Sequence, residues 1–200
     1  MVAVAELISP QEYLEVERKS QIKHEYISGR MIEMAGATRK HNKIVGNVCF
    51  VLIGQLRGRS ESVYPSDMRV WIPATNSYTY PDVTVAGDET PLDAEEQDIL
   101  FNPVIIVEVL SPSTENYDRG EKFQSYRTIE TLQEYIMIAQ DEHRLEHYVR
   151  QSDGQWLFTE AISLTETIHL PSIGCDLPLS EVYDKVEIST PEAHHLNSRQ

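Results

Sequence analysis

The feature that most limits the possible folds of this chain is the run VIIVEVLSPS at residues 104–113. Six of its first seven residues are apolar, and prolines stand at positions 103 and 112. A short apolar run with such boundaries is typical of a strand buried on both faces. Glu108 lies inside the run, and burial of a carboxylate is costly unless the group is paired, protonated or bound to a metal. We therefore expect a layered sheet whose core strand carries a glutamate with a partner.

The sequence on either side of this run predicts alternating helices and strands. Ser9, Pro10 and Glu12 form a capping-box pattern, which predicts a helix over residues 9–20. The other predicted elements are a hairpin at 24–36, a helix at 40–60, strands at 62–73 and 80–87, a polar loop at 87–102, a helix from Asp118 to 130 with Glu121 as capping-box partner, and antiparallel strands between 133 and 170.

This order of elements predicts an α/β (α+β) fold with a mixed central sheet flanked by helices. An extra helix and hairpin are expected at the N-terminus, and antiparallel strands at the C-terminus. We predict one domain over residues 1–188 and a flexible polar tail over 189–200.

The charge of the chain is unevenly distributed. The net charge of −15 argues, taken alone, against a nucleic-acid partner. Residues 18–69, however, carry ten Lys or Arg against four Asp or Glu. This basic sector is either a nucleic-acid contact surface or a solvated helix face, and charge does not separate the two.

The cysteine content and the hydropathy indicate a cytoplasmic protein. Cys49 and Cys175 are too few for a disulfide framework and are expected to be reduced thiols. No apolar stretch approaches the roughly 18 residues that a membrane span requires, so no membrane association is expected.

Two carboxylates lie on consecutive predicted strands. Asp82 begins the strand in YPDVTVAG, and Glu108 lies in the next core strand. If these strands are neighbours, the two side chains can converge on one divalent cation, because Mg²⁺ prefers oxygen ligands. A bound cation would also resolve the burial of Glu108.

These residues carry a family resemblance. YPDVTVAG followed by VEVLSPST resembles the PD-(D/E)XK nuclease pattern, and the chain from Tyr13 to Tyr183 resembles the Uma2 family of restriction-endonuclease-like proteins. Further segments that carry the resemblance are EYISGRMIEMAG, HNKIVGNV, DRGEKFQSYRTIETLQEYIMI and IGCDLPLSEVY. The lysine expected two residues after the glutamate is absent, since Leu110 stands there. The resemblance implies that Lys122 replaces it from the following helix.

The resemblance implies a Mg²⁺- or Mn²⁺-dependent endonuclease that cleaves double-stranded DNA and leaves 5′-phosphate and 3′-hydroxyl ends. Asp82, Glu108 and the main-chain carbonyl of Val109 would hold the metal. Lys122 would position or help deprotonate the attacking water, and near the metal and other cations a lowered pKa of its ammonium is expected. Cutting both strands of a duplex favours a homodimer.

Four basic or titratable residues and one further carboxylate complete the candidate set. His41 would contact phosphate, and Glu25 would give an additional metal contact. The expected nucleic-acid-binding residues at the head of the basic helix are Arg39, Lys40 and Lys43.

Structural alternatives exist for each candidate. Asp82 can be a solvated residue at the start of a strand, and Glu108 an ion-paired core residue. Lys122 can be an ordinary exposed helix lysine, Glu25 a cross-strand partner of an arginine, and His41 a histidine at the surface or in the N-cap region of the helix. A protein of the same fold that binds DNA or a protein partner without cleavage is the alternative function.

Overall fold

The computed structural model describes residues 7–87, 97–112 and 114–188, and the strands of these ranges form three sheets. The strands are β1 His24–Ile27, β2 Arg30–Glu33, β3 Glu61–Pro65, β4 Arg69–Ile72, β5 Ser77–Thr79, β6 Val83–Gly87, β7 Ile99–Leu100, β8 Pro103–Leu110, β9 Glu134–Ala139, β10 Leu145–Arg150, β11 Trp156–Ala161, β12 Thr167–Leu170 and β13 Cys175–Pro178. The helical segments are α1 Pro10–Glu17, α2 Arg39–Gln55, a 3₁₀ turn Pro73–Thr75, α3 Glu115–Tyr117, a π turn Asp118–Lys122, α4 Phe123–Tyr126 and α5 Leu179–Val182.

The central sheet has six strands in the order β11-β10-β9-β8-β6-β3. It is mixed, because β8 and β9 are parallel whereas the other neighbours are antiparallel. The parallel pair requires a crossover, which the helical segments between residues 115 and 126 provide. The remaining sheets are a five-stranded sheet in the order β2-β1-β5-β4-β7 and the β12–β13 hairpin.

Each face of the central sheet packs against its own hydrophobic cluster. Ile105, Val107 and Val109 of β8 face a core shared with α2, α5 and the β12–β13 hairpin. Ile106 and Leu110 face the opposite core, to which the crossover helix and strand β4 contribute. Burial of β8 on both faces confirms the prediction made from its continuous apolar run.

The predicted fold class is confirmed, and so are most elements. The capping box of Ser9 and Glu12 is present at the start of α1. The first hairpin turns at Ser28 and Gly29, whose φ angles are 49° and 88°. Positive φ at both central residues is the requirement of a type I′ turn, which matches the twist of the flanking strands.

Two predicted elements are wrong in their boundaries. The single strand expected at 62–73 is divided into β3 and β4, which lie in different sheets because a turn follows Pro65. The helix expected to begin at Asp118 begins at Glu115 instead, so Asp118 is not an N-cap and is buried within the helical segment. Its carboxylate faces Lys122, which a capping residue would not do.

Other expectations are only partly covered by the described residues. The loop predicted at 87–102 contains the short strand β7, and its residues 88–96 lie outside the described ranges. The tail at 189–200 also lies outside them, so the domain boundary at 188 stays a prediction. Within the described ranges, no helix combines the length and the apolar character needed to cross a membrane.

Candidate active site

The site forms where β6 and β8 lie side by side. In this antiparallel pair Val83, the first residue of β6, is opposite Val107, and Asp82 and Glu108 are the next residues along the two segments. The Asp82 carboxylate accepts a hydrogen bond from the backbone N–H of Val109, the residue that follows Glu108. The two predicted carboxylates are therefore neighbours, as expected from their consecutive strands.

Asp82 is fixed by two hydrogen bonds. Its Oδ2 accepts from the backbone N–H of Val109 at 2.7 Å, and its Oδ1 lies 2.9 Å from Nε2 of His41. Because the N–H and C=O of one residue point to the same edge of a strand, the Val109 carbonyl also faces the β6 side. The Asp82 side chain is 14 % exposed, which excludes the reading of a fully solvated residue at the start of a strand.

His41 reaches Asp82 from the first turn of α2. The side chain of Thr38 caps this helix by accepting a hydrogen bond from the His41 backbone N–H at 3.1 Å. The histidine ring is 15 % exposed, so it is not a free surface residue.

Glu108 has two partners on the crossover helix. Lys122 Nζ lies 3.0 Å from Glu108 Oε1, and the hydroxyl of Tyr126 donates to the same oxygen at 2.9 Å. The Lys122 side chain is 7 % exposed, so the reading as an ordinary exposed helix lysine is wrong. The structure thus places Lys122, from the helix that follows the strand, in contact with Glu108.

Two further carboxylates surround the Lys122 ammonium. Glu25 Oε1 lies 3.1 Å from Nζ and also accepts from the backbone N–H of Tyr80 at 3.2 Å. Asp118 Oδ1 lies 3.6 Å from Nζ. Glu25 therefore pairs with a lysine, and the prediction of an arginine partner is wrong.

Carboxyl groups outnumber basic groups in this cluster. Glu25, Asp82, Glu108 and Asp118 contribute four carboxyl groups beside the ammonium of Lys122 and the ring of His41. Burial raises the pKa of Glu108 well above its ordinary value, the Lys122 ammonium lowers it, and the nearby carboxylates, led by Asp82, raise it further. Burial likewise raises the pKa of Asp118, against the lowering effect of Lys122.

The pKa of Lys122 is shifted in the direction opposite to the prediction. Burial by itself lowers the pKa of the ammonium, but Glu108, Tyr126, Glu25 and Asp118 together raise it well above its ordinary value. The expected lowering applies to a lysine beside a bound metal and other cations, whereas carboxylates surround the ammonium here.

The predicted nucleic-acid-binding residues lie beside this cluster on α2. Arg39 and Lys43 are exposed, and Lys43 donates to the main-chain carbonyl of Lys185. Lys40 Nζ lies 3.6 Å from Asp141 Oδ1. Arg39 therefore has the most open position of the three.

The oxygen donors of the site suit a hard divalent cation. In the part of the chain that the structure describes, no group of three or more His, Cys, Asp or Glu side chains is arranged to hold a metal ion. The predicted set needs only two carboxylates, those of Asp82 and Glu108, together with the Val109 carbonyl and water. A dication would also offset the charge of the ionised carboxylates, so the residues fit Mg²⁺ or Mn²⁺.

Sequence reasoning missed the parts of the site that come from the crossover helix. Asp118 is expected as a helix cap and Tyr126 is absent from the candidate set, although both contact the Glu108–Lys122 pair. The signal that could have identified them is their spacing, because they lie four residues before and four residues after Lys122. A cavity of about 670 Å³ at the ends of β8 and β9 was also missed, since separate segments of the chain line it.

The mixed sheet, its crossover helix and the paired carboxylates are features of the restriction-endonuclease-like fold. A crystal structure described as "a putative nuclease belonging to DUF820", from Anabaena variabilis, has the same fold, with a TM-score of 0.74 and 19 % identity over 90 % of this chain and 99 % of that chain. The profile of the Uma2 family, described as "Putative restriction endonuclease", matches residues 10–180. The chain belongs to the Uma2 family.

Two uncharacterised proteins of Synechocystis are similar in sequence over most of their length. One is 41 % identical over 160 residues, which is 80 % of this chain and 90 % of the relative. The other is 34 % identical over 176 residues, which is 88 % of this chain and 91 % of the relative.

Proposed function

We propose that this protein is a divalent-metal-dependent endonuclease that hydrolyses phosphodiester bonds of DNA. The observation that carries the proposal is the buried contact of Lys122 with Glu108, next to the segment where Asp82 accepts a hydrogen bond from the backbone N–H of Val109. Membership in a family described as "Putative restriction endonuclease" supports the same reaction class.

Asp82 and Glu108, with the main-chain carbonyl of Val109, would hold Mg²⁺ or Mn²⁺. When bound there, the cation supplies Lewis-acid stabilisation of the phosphate charge and increases the acidity of a bound water. Glu108 lies within the buried strand β8 and Asp82 directly precedes β6, so both donors are supported by the central sheet, which suits this role because metal ligands need precise positions.

Lys122 would contribute a fixed positive charge beside the scissile phosphate. Its ammonium is already held by Glu108 and Glu25 at 3.0 and 3.1 Å, so its position needs no rearrangement during the reaction. His41, hydrogen-bonded to Asp82, would orient that carboxylate. It lies two residues after the exposed Arg39 at the start of α2. Products would carry 5′-phosphate and 3′-hydroxyl ends.

The alternative function is binding without cleavage. The net charge of −15 and the engagement of Lys40 and Lys43 in contacts within the chain favour it, because DNA binding usually relies on a larger free basic surface. Catalysis and binding are separable by a cleavage assay.

The deciding experiment incubates supercoiled plasmid with wild-type protein and with Asp82→Asn in Mg²⁺, Mn²⁺ or EDTA. We expect nicked and linear DNA with wild type in either metal, and intact plasmid in EDTA or with Asp82→Asn. Retarded but uncut plasmid in a gel-shift assay would favour the binding alternative. Sedimentation of the wild-type protein with and without a duplex tests the proposed homodimer.

Removal of the exposed Arg39 should weaken DNA binding without affecting the site. For Arg39→Ala we expect a lower affinity for duplexes of any sequence and a salt dependence whose slope decreases by about one, because one phosphate contact is lost. Fluorescence anisotropy at several salt concentrations measures the affinity and the slope of its salt dependence. Arg57→Ala, an exposed arginine beyond the other end of α2, is the matched control, and equal slopes for the two variants would contradict the placement of DNA at the head of α2.

A further inference from the structure

The crossover helix contains a π turn beside the candidate site. Residues Asp118–Lys122 form this turn between α3 and α4. A π turn is closed by i→i+5 hydrogen bonds and is often found at functional sites. The hydroxyl of Tyr135, on β9, donates to the main-chain carbonyl of Asp118 at 3.1 Å, so the neighbouring strand fixes the turn.

Three buried side chains form one column on the crossover helix. Asp118, Lys122 and Tyr126 follow one another at intervals of four residues and are all buried. In an α-helix of 3.6 residues per turn, each such step rotates the side chain by about 40° around the axis. Side chains at such intervals therefore lie on the same side of a helix. The three side chains can therefore face the same strand.

The two outer members of this column contact the two groups of the proposed site. Asp118 Oδ1 lies 3.6 Å from the Lys122 ammonium, on the side away from Tyr126 along the helix. The Tyr126 hydroxyl donates to Glu108 Oε1 at 2.9 Å and lies 3.0 Å from the hydroxyl oxygen of Thr79. Asp118 thus contacts Lys122, and Tyr126 contacts Glu108.

We propose that Asp118 and Tyr126 are positioning residues of the cleavage reaction, Asp118 for Lys122 and Tyr126 for Glu108. The proposal rests on the endonuclease function proposed above. Because both side chains act through their neighbours and not on DNA, their loss should lower kcat and leave KM for DNA nearly unchanged. Loss of a group that orients a metal ligand typically costs about 10- to 100-fold in metal affinity or activity.

The test compares Tyr126→Phe and Asp118→Asn with wild type by two measurements. The first is steady-state plasmid nicking, which gives kcat and KM. The second is calorimetric titration of Mn²⁺ into DNA-free protein. We expect kcat to fall about 10- to 100-fold in both variants, and the Mn²⁺ affinity to fall by a similar factor in Tyr126→Phe.

Matched controls separate positioning from general damage to the fold. Tyr148→Phe changes a tyrosine that packs on Phe123 in the same core, and Glu115→Gln changes a carboxylate of the same helical segment that pairs with Arg119. Both controls should behave as wild type. Thermal unfolding of all four variants shows how much of any loss comes from unfolded protein.

The possible outcomes show which of the two proposals fails, the endonuclease function or the positioning roles. Wild-type kcat and Mn²⁺ affinity in Tyr126→Phe and Asp118→Asn would overturn the positioning roles. A loss of activity that matches the unfolded fraction of each variant, or an equal loss in the control variants, would also overturn the positioning roles. If wild type binds Mn²⁺ but cuts no DNA, the endonuclease function fails, whereas a weaker Mn²⁺ affinity of Tyr126→Phe still supports its role toward Glu108. If wild type binds no Mn²⁺ and cuts no DNA, both proposals are overturned.

Discussion

Glu108→Gln should abolish plasmid cleavage almost completely while preserving the fold. The amide has the shape of the carboxylate and can still accept a hydrogen bond from Tyr126, but it is a neutral and therefore weaker ligand for a divalent cation than the carboxylate. Loss of one electrostatic group at a reaction centre costs about 10²–10³-fold in kcat. Nicking rates in Mg²⁺ and Mn²⁺ measure the effect, and circular dichroism checks the fold.

The control for this substitution is Glu121→Gln, which neutralises an exposed carboxylate in the same π turn as Lys122. It should cleave at the wild-type rate. If Glu108→Gln cuts plasmid as fast as Glu121→Gln, Glu108 is an ion-paired core residue and the proposed site is wrong.

Lys122→Met should destabilise the protein as well as inactivate it. Methionine fills the volume of the lysine stem but leaves the carboxylates of Glu25, Glu108 and Asp118 without their shared cation. Removing one partner from a buried ion pair typically costs about 3–5 kcal/mol in the free energy of unfolding. Urea denaturation at neutral pH measures this loss, with Lys19→Met, a change of an exposed lysine, as the control.

The destabilisation of Lys122→Met should depend on pH in a defined direction. Burial already raises the pKa values of Glu108 and Asp118, and the variant loses the lowering effect of the ammonium. The folded variant therefore binds protons at a higher pH than the unfolded chain does, so its stability falls as the pH rises through that range. The deficit relative to wild type should be smaller at pH 5 than at pH 8. An equal deficit at both values would show that the carboxylates do not cause it.

The central strand and its carboxylate were predictable because their signals are local. A continuous apolar run with one glutamate predicts a buried strand whatever surrounds it, and Asp82 follows from the adjacent strand pattern. The β1–β2 hairpin and the capping box of α1 are also local, and both were predicted correctly.

The remaining parts of the site depend on contacts between distant segments. Glu25 and Lys122 are 97 positions apart in the sequence, and nothing in the sequence near either residue indicates that they form a pair. The division of residues 62–73 between two sheets depends in the same way on what pairs with β4, namely β5 and the short strand β7. The role of Asp118 was misassigned because an acidic residue before a helical pattern resembles a cap whether or not the helix has already begun.

The Glu25–Lys122 pair links the local unfolding of β1 to the candidate site. Glu25 belongs to the five-stranded sheet, whereas Lys122 follows the central strand of the six-stranded sheet, so one ion pair joins two separately hydrogen-bonded sheets. A partial opening that releases β1 alone would leave the six-stranded sheet intact and yet remove one of the carboxylates that hold the lysine. The amide protons of β1 should therefore exchange more slowly whenever the proposed site is filled, although they lie in another sheet.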